Sequence, residues 1–333
     1  MPPGLLPMRP IRLALMGQPW WSGRLAGMLN QHPELQARAL AGRAILSPRG
    51  LAWLARADLL LRVGFRPGAP TRNGRAFDAL WAALRFLNPG APVVYYWLGT
   101  DVLNSLEDAR AGRLRQGPHR KALRAVHWAD APWLVEELRE VGYQASFHPI
   151  PVPLAGLEAP ESLPGRFSVL TYVPDARADY YGGREILAAA RAMPTVPFVV
   201  LGGLGAWAEP VPPNLSFVGW QEDVRPFLYA CSVLVRLVAH DGLGGTVREA
   251  LEAGRHVIYS QAMPQVVHVP FGDPQALVRA LAGLEQRHRA GDLGPNLEGR
   301  RYVQEAYDFQ QSLETYRLLC RSALGLGPKG VAP

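Results

Sequence analysis

The sequence has few cysteines and no long apolar run. Its two cysteines, Cys231 and Cys320, stand far apart in a chain of 333 residues and show neither metal-ligand spacing nor a disulfide framework. We therefore expect both to be reduced core thiols in a cytoplasmic protein. No stretch reaches the roughly 18 apolar residues of a membrane-spanning helix. The N-terminal residues also lack the regions of a signal peptide, so the sequence predicts neither a spanning helix nor secretion.

Acidic residues are scarce in the first half of the chain. Residues 1–150 contain 19 Arg and Lys against 10 Asp and Glu, whereas residues 151–333 contain 16 against 18. A basic half is typical of proteins that bind nucleic acid, an anionic membrane surface or anionic substrates. Zinc-finger, RNA-recognition and helix-turn-helix signatures are missing, so nucleic acid is the weakest of these partners. The most basic stretch, Arg110–Arg124, is either a solvated face or a surface that docks on anionic lipid.

The remaining composition is that of globular α/β domains. With 48% hydrophobic residues, a chain of this length accommodates two domains of ordinary size. Apolar strands open both halves, at Ile11–Met16 and Phe167–Val173, and a proline-rich segment, Pro149–Gly165, predicts a linker between them. A final amphipathic helix is predicted over Tyr302–Leu324.

The stretch Val233–Ser260 has the clearest local pattern in the chain. It reads as a buried strand, a glycine loop at residues 242–245, a short helix and a second strand. Thr246 as N-cap and Glu249 three residues later match a capping box. A glycine-lined helix N-terminus suits a phosphate group, because unpaired N–H groups and the positive end of the helix dipole point out of it. The alternative is that Glu249 only caps its helix and the glycines only make a tight turn.

Two carboxylates frame this loop. Asp241 and Glu249 are separated by seven residues, Gly242-Leu243-Gly244 follows the first acid, and Glu249–Ile258 reads EALEAGRHVI. The arrangement resembles the family 4 retaining glycosyltransferases of the GT-B fold, also called glycosyltransferase group 1. That family carries Glu at the first position and Pro where this chain has His256.

The resemblance implies roles for the second half of the chain. It assigns Asp241 to the donor-sugar hydroxyls, Glu249 to the nucleotide ribose and the loop amides to the donor phosphates and sugar. The loop residues so assigned are Gly242, Leu243, Gly244, Gly245 and Thr246. In the family, an Arg and a Lys grip the pyrophosphate after the first strand. Here Tyr181 replaces the Lys and Arg177 is the cation in the loop, while Gly219 and Trp220 occupy the nucleobase position.

The first half matches the family in architecture only. The loop from Gly17 to Gly23 follows the first strand and, by the resemblance, faces the donor. Its alternative role is packing. A later strand, Pro92–Leu98, ends just before Asp101, which we assign as a candidate acceptor-side base. The alternative is that Asp101 caps the next helix.

Together these features predict an α/β protein of the GT-B type, with two Rossmann-like domains facing each other across a cleft. The predicted domains are an acceptor domain (residues 1–152), a nucleotide-sugar donor domain (153–310) and a C-terminal helix that packs back on the first domain with a frayed tail (311–333). The expected function is transfer of a sugar from a nucleotide-diphosphate sugar to a hydroxyl acceptor with retention, in cell-surface polysaccharide or glycolipid synthesis.

The expected partners are the donor, a carbohydrate or lipid-linked acceptor and an anionic membrane surface on the cytoplasmic side, with no nucleic acid. We expect no metal and no cofactor besides the donor, because the helix N-terminus, the loop amides and Arg177 would offset the charge of the leaving diphosphate. Two alternatives stay open: a glycosyltransferase-like binding protein without turnover, and a nucleotide-sugar epimerase or phosphorylase. A phosphorylase would need a pyridoxal-phosphate lysine, and lysine occurs only at Lys121 and Lys329.

Overall fold

The chain folds into two compact units, each with its own parallel sheet. The computed structural model describes residues 9–67, 72–154 and 156–326. The first unit contains residues 1–152 and 309–333, and the second contains residues 153–308. Each unit has one six-stranded sheet in which every paired strand is parallel. This arrangement confirms the predicted α/β class.

The sheet of the first unit has the order β2-β1-β3-β4-β5-β6. Its strands are β1 Ile11–Gly17, β2 Leu35–Ala39, β3 Leu59–Val63, β4 Val93–Trp97, β5 Val126–Ala129 and β6 Ala145–Phe147. Its helices are α1 Pro19–Leu29, α2 Pro48–Arg56, α3 Arg72–Leu84, α4 Thr100–Arg110, α5 Gln116–Ala122 and α6 Pro132–Glu140. Every residue of β3 is buried, as expected for a central parallel strand that packs on both faces.

The sheet of the second unit has the order β12-β11-β10-β7-β8-β9. Its strands are β7 Val169–Tyr172, β8 Phe198–Leu201, β9 Leu215–Gly219, β10 Val233–Arg236, β11 His256–Tyr259 and β12 Val267–His268. Its helices are α7 Gly183–Ala192, α8 Arg225–Ala230, α9 Gly245–Glu252, α10 Pro274–Ala290 and α11 Leu297–Ala306. A 3-10 segment, Asp175–Tyr181, precedes α7.

The C-terminal helix α12, Phe309–Ala323, packs on the first unit. Leu313, Tyr316 and Cys320 form its buried face, at the spacing of one helical stripe. The Tyr316 hydroxyl lies 2.7 Å from the Tyr96 hydroxyl, which donates to the carbonyl of His148 at 2.8 Å. The buried stripe therefore continues into a hydroxyl pair inside the first unit.

The sequence prediction of one helix over Tyr302–Leu324 is wrong. The chain forms two helices, α11 and α12, because Tyr307 leaves the helical conformation with φ of −134°. The Tyr307 hydroxyl lies 3.0 Å from that of Tyr302, so the break is held by contacts within the second unit. The proline-rich segment likewise is more than a spacer, since Leu163 is part of the second unit's core.

In both sheets the chain adds strands first on one side of the starting strand and then on the other. In the first sheet the chain goes from β1 to β2 on one side and then to β3 on the other. In the second it goes from β7 through β8 and β9, and then returns to β10 beside β7. Ligands of open α/β sheets bind outside the carboxyl ends of strands where the chain changes sides in this way. The ends of β1 and β3, and of β7 and β10, are therefore where functional side chains are expected.

A neutral histidine is built into the core of the first unit. The indole N–H of Trp97 donates to Nδ1 of His127 at 3.0 Å, so Nε2 carries the hydrogen and donates to the carbonyl of Ala122 at 2.8 Å. Burial lowers the pKa of His127 from 6.5 to about 4. Burial also lowers the pKa of His148 to about 4. A second proton on His127 would face the Trp97 N–H, which explains why the neutral form is retained.

We expect the protein to lose stability as the pH falls from about 6.5 to about 4. The unfolded chain binds protons at these histidines within that window and the folded chain does not, so the free energy of unfolding falls as the pH falls. For His127 the loss approaches about 3 kcal/mol. Urea unfolding at pH 7.5, 5.5 and 4.5 measures it. His127→Gln, which can keep both hydrogen bonds, should show a flatter profile, and equal slopes would contradict the assignment.

Candidate functional site

The carboxyl ends of β7 and β10 are joined by hydrogen bonds through Tyr180. The Tyr180 carbonyl accepts from the amide of Ala239 at 2.9 Å, and its hydroxyl donates to the carbonyl of His240 at 2.5 Å. The 3-10 segment after β7 is thereby attached to the loop after β10. Arg177 and the glycine loop that the sequence singles out consequently lie on one edge of the second sheet.

Asp241 is held in an ion pair within this edge. Its Oδ2 accepts from Nε of Arg236 at 2.6 Å and its Oδ1 from a terminal nitrogen of the same guanidinium at 3.0 Å. The Tyr259 hydroxyl lies 3.0 Å from both Asp241 Oδ2 and the carbonyl of Gly242. The Arg236 and Asp241 side chains are only 13% and 15% exposed. The acid assigned by sequence to the donor sugar is therefore oriented by a cation beneath it.

The Arg236 side chain of this pair stays positively charged. Burial alone lowers the pKa of Arg236, but the charge and hydrogen bonds of Asp241 raise the pKa overall. Burial raises the pKa of Tyr259 well above its ordinary value, so the phenol stays protonated and donates. The end of β10 thus carries a fixed guanidinium that sequence analysis missed. The available signal was an arginine ending an otherwise apolar strand.

The glycine loop leads directly into α9. The N-cap is Gly244, with no side-chain capping bond, and Gly245 is the first helical residue. The predicted capping box is therefore wrong: Thr246 lies inside the helix, and Glu249 is its fifth residue rather than a partner of the cap. The backbone N–H groups of the first turn of a helix have no intrahelical acceptor, so they remain suited to an anion.

Gly244 and Gly245 differ in the space that a side chain would find at each position. A Cβ on Gly244 would lie 2.9 Å from Nε of Arg236, so only glycine lets the loop cross the guanidinium. A Cβ on Gly245 would meet nothing within 4 Å. Gly244 therefore serves the ion pair beneath the loop, whereas Gly245 faces open space.

A row of aromatic side chains extends from this loop along the sheet edge. Arg177 is exposed and lies 4.0 Å from the ring centre of Tyr180. The guanidinium of Arg236 lies 5.8 Å from the ring centre of Tyr181, the position where the resembling family has lysine. Tyr181 contacts Tyr172, whose ring centre is 5.5 Å away. Two arginines are therefore brought to the place where one lysine is missing.

The nucleobase position continues this row. Trp220 follows the end of β9, is 63% exposed, and its ring centre lies 6.5 Å from that of Tyr172. Gly219 before it has φ of +67°, which turns the chain at the strand end. Asp175 accepts from the amides of Leu204 and Gly205, which fixes the neighbouring turn. The exposed indole is thus anchored at one end of the edge that holds the glycine loop.

In the first unit, a cavity of about 290 Å³ lies where β1 and β3 end. Gly17 and Asp101 both line it. Gly17 has φ of +130°, and a Cβ there would lie 2.0 Å from the carbonyl oxygen of Val63. This glycine is therefore required for strand packing. Gly23 lies inside α1 and is exposed, so the predicted loop to Gly23 is wrong because the helix begins at Pro19.

Asp101 organises the end of β4. Its Oδ1 accepts from the amides of Leu98, Gly99 and Val102, and its Oδ2 accepts from the amide of Phe65 at 3.3 Å. The helix α4 begins at Thr100 with Gly99 as N-cap, so Asp101 is not the cap. Burial raises the pKa of Asp101, and these backbone bonds act in the opposite direction. Its role as an acceptor-side base stays a prediction.

Removing the Asp241 charge should destabilise the second unit. Asp241→Asn leaves the buried Arg236 without a counter-charge, which typically costs about 3 kcal/mol or more. The matched control is Asp179→Asn, because the Asp179–Arg184 pair is 74% and 83% exposed and surface pairs contribute at most about 1 kcal/mol. Denaturant unfolding of both variants checks the difference, and equal losses would contradict the buried pair.

Within the described part of the chain, no group of three or more His, Cys, Asp or Glu side chains is placed to hold a metal ion. None of the helices described there is both long and apolar enough to cross a membrane.

Part of the chain matches a known protein family, and the fold matches solved structures. Residues 162–287 match the family model described as Glycosyl transferases group 1. A search of curated proteins finds no match. Among solved structures, HepE from Anabaena in complex with UDP and glucose is 12% identical with a TM-score of 0.67, over 94% of this chain and 100% of that one.

Two further solved structures are similar over most of their length. Sucrose-phosphate synthase from Thermosynechococcus elongatus is 17% identical with a TM-score of 0.69, over 96% of this chain and 100% of that one. A glycosyltransferase from Rickettsia africae is 10% identical with a TM-score of 0.61, over 94% and 98%. At such identities the likeness shows the fold. Residues 162–287 therefore form a group 1 glycosyltransferase domain, in a chain that has the GT-B fold.

Proposed function

We propose that this protein transfers a sugar from a nucleoside-diphosphate sugar to a hydroxyl acceptor, with retention of the anomeric configuration. The observation that carries the proposal is the convergence, at the β7–β10 switch point, of a glycine loop, a helix N-terminus and two arginines. This convergence lies within the residues that match the group 1 model. The solved structures include HepE in complex with UDP-glucose, so uridine nucleotides are the first donors to test.

The charges at this edge suit departure of a diphosphate. The N-terminus of α9 carries a partial positive charge of about half an elementary charge. Arg177 adds a full charge, and Arg236 presents a guanidinium whose position Asp241 fixes. Preorganised donors of this kind stabilise a leaving anion without rearranging during the reaction. We infer that these groups do the work for which the resembling family uses a lysine and an arginine, and that no metal is needed.

The other contacts of the donor follow from the same placement. In this proposal the amides of residues 242–246 bind the phosphates, Glu249 binds the ribose, and the nucleobase stacks on Trp220 beside Gly219. Asp241 orients Arg236 and meets the sugar hydroxyls through its remaining lone-pair capacity. The acceptor binds the first unit near Asp101. The transfer serves the synthesis of a cell-surface polysaccharide or glycolipid on the cytoplasmic side of the membrane.

One observation favours a second function, the binding of a nucleotide sugar without turnover. Asp241 already accepts from Arg236 and Tyr259, so less of its carboxylate remains for the sugar. The two functions are distinguished by slow hydrolysis of a panel of nucleotide sugars in the absence of acceptor. Release of UDP supports a transferase, whereas tight donor binding with no release on a scale of hours supports a binding protein.

Glu249→Gln should weaken UDP binding while leaving the thermal midpoint nearly unchanged. A ribose hydroxyl bonded to a carboxylate loses about 1–2 kcal/mol when the acceptor becomes neutral, which is roughly a 5- to 30-fold loss of affinity. The control is Glu305→Gln, an exposed acid on α11. Isothermal titration calorimetry measures both variants. If Glu249→Gln binds UDP like the control, the ribose assignment is wrong.

The adjacent glycines should separate ligand contact from folding. Gly245→Ala introduces a methyl into open space at the helix start, so we expect no loss of stability but a loss of UDP affinity of roughly tenfold, because the phosphate must approach this backbone. Gly244→Ala pushes on Arg236 and should lower stability as well.

The control for the glycine pair lies in the first unit. Gly27→Ala adds a methyl to an exposed position within α1 with nothing within 4 Å, so it should raise stability by about 0.5–1 kcal/mol and leave UDP affinity unchanged. Unaltered UDP affinity in Gly245→Ala would show that the phosphate does not approach this loop.

A further inference from the structure

A cavity of the first unit lies between α3 and α5, on one face of the sheet. Its volume is about 660 Å³, and Val93 and Tyr95 of β4 form part of its lining. Lys121 contributes from α5 and Trp81 from α3. Arg62 and Asp78 line both this cavity and the smaller one at the ends of β1 and β3. The site described above does not use this cavity, although it adjoins the proposed acceptor position.

Its lining is strongly cationic. Asp78 is the one acid among the described lining residues, and it accepts hydrogen bonds from Arg62 and from Arg115, the latter at 2.9 Å. The described lining cations are Arg62, Arg75, Arg85, Arg115 and Lys121. Asp78 can balance only one of them, so the cavity keeps a net positive charge. An anionic group is the complementary ligand.

One of these cations has hydrogen-bonding capacity to spare. The Arg62 side chain is 7% exposed, and its Nε has no hydrogen-bond partner among the described residues. Its guanidinium lies 4.6 Å from the ring centre of Phe65 and 5.5 Å from that of Trp81. An unpaired buried N–H is costly, so an acceptor that reaches it would be favoured.

The rest of the lining is apolar and extends to an exposed aromatic side chain. Phe65, Trp81 and Tyr95 are buried, whereas Phe86 is 85% exposed at the end of α3. An aromatic side chain so exposed beside cations suits an apolar chain that continues outward from the cavity. The volume is within the range of pockets that hold a small amphiphile.

Three of the six basic residues in the stretch Arg110–Arg124 form ion pairs. Arg110 pairs with Glu140, Arg113 with the buried Asp108, and Arg115 with Asp78. The hydrogen bond from Arg66 is the largest cause of the lowered pKa of Asp108, and that from Arg113 adds to it. Half of its basic residues are therefore ion-paired, although Arg110 and Arg113 stay exposed, and Lys121 is an exposed cation of the stretch that lines the cavity.

We propose that this cavity binds the phosphate head and the first part of the apolar chain of a phosphorylated amphiphile. The phosphate lies among Lys121, Arg75 and Arg115, and the chain passes over Trp81 and Tyr95 toward Phe86. This inference deepens the proposed function, on which it rests for the interpretation of the amphiphile as the lipid end of the acceptor. The binding itself requires no donor and no turnover.

The test measures binding of dodecyl phosphate to the full chain below its micellar concentration by calorimetry. Inorganic phosphate and dodecanol are the two half-ligands, and each should bind at least tenfold more weakly. Lys121→Gln should weaken dodecyl phosphate by about fivefold. Arg120→Gln is its matched control, an exposed cation on the same helix that does not line the cavity. It should change binding less than twofold.

A second pair of variants tests the apolar part. Phe86→Ser should weaken dodecyl phosphate and leave inorganic phosphate unchanged, whereas Leu87→Ser, 45% exposed beside it and outside the lining, should do neither. Equal effects of Lys121→Gln and Arg120→Gln would indicate general surface charge and overturn the proposal. Inorganic phosphate binding as tightly as dodecyl phosphate would overturn it too, since the site would then be a plain anion site.

Two further measurements complete the test. One distinguishes a membrane surface from a single bound molecule, and the other distinguishes the donor site from the cavity. Vesicles of phosphatidylglycerol and of phosphatidylcholine distinguish a membrane surface: flotation that Arg120→Gln weakens as much as Lys121→Gln would contradict a cavity for single molecules. UDP titration of the wild type reports on the donor site alone. Lack of UDP binding with intact dodecyl phosphate binding would refute the proposed function but not the cavity, and the reverse result would refute the cavity only.

Discussion

The ion pair between Arg236 and Asp241 is the constraint on which the second unit's edge depends. Two charges are removed from water at the end of β10, and their geometry is favourable only because both guanidinium–carboxylate bonds form and Tyr259 donates to the same carboxylate. The loop above must then be glycine at Gly244, since a side chain there would meet the guanidinium. The start of α9, the position of the cation and the orientation of the acid are therefore coupled through one contact.

Arginine–aspartate ion pairs also stabilise the first unit, in which basic residues outnumber acidic ones. Asp108 holds Arg66 and Arg113, and Asp78 holds Arg62 and Arg115. These two acids each bind two guanidinium groups, so each cluster keeps one net positive charge. Three of the six basic residues of Arg110–Arg124 are therefore held in ion pairs, two of them at the surface. Five cationic side chains and one acid line the cavity between α3 and α5, together with aromatic side chains.

Three local predictions from the sequence differ from the structure. Thr246 and Glu249 have the spacing of a capping box, but α9 begins two residues earlier, with Gly244 rather than Thr246 as the N-cap. Gly23 has the look of a loop glycine, but the helix already begins at Pro19. Asp101 has the look of an N-cap, but α4 already begins at Thr100, and the Asp101 carboxylate accepts from the amides of Leu98 and Gly99. In each case the local pattern was consistent with two backbone conformations that differ by a residue or two.

The sequence by itself determined the strand, glycine loop, helix and strand within residues 233–260 and the resemblance of its two acids to a glycosyltransferase motif. These depend on residues close together in the chain, where periodicity and turn chemistry act directly. Only the tertiary structure decided that Arg236 supports Asp241, that His127 stays neutral beside Trp97, and that a cationic cavity separates α3 from α5. Such features depend on the strand order of the sheet and on burial, which set the distance and the dielectric between side chains that the sequence leaves apart.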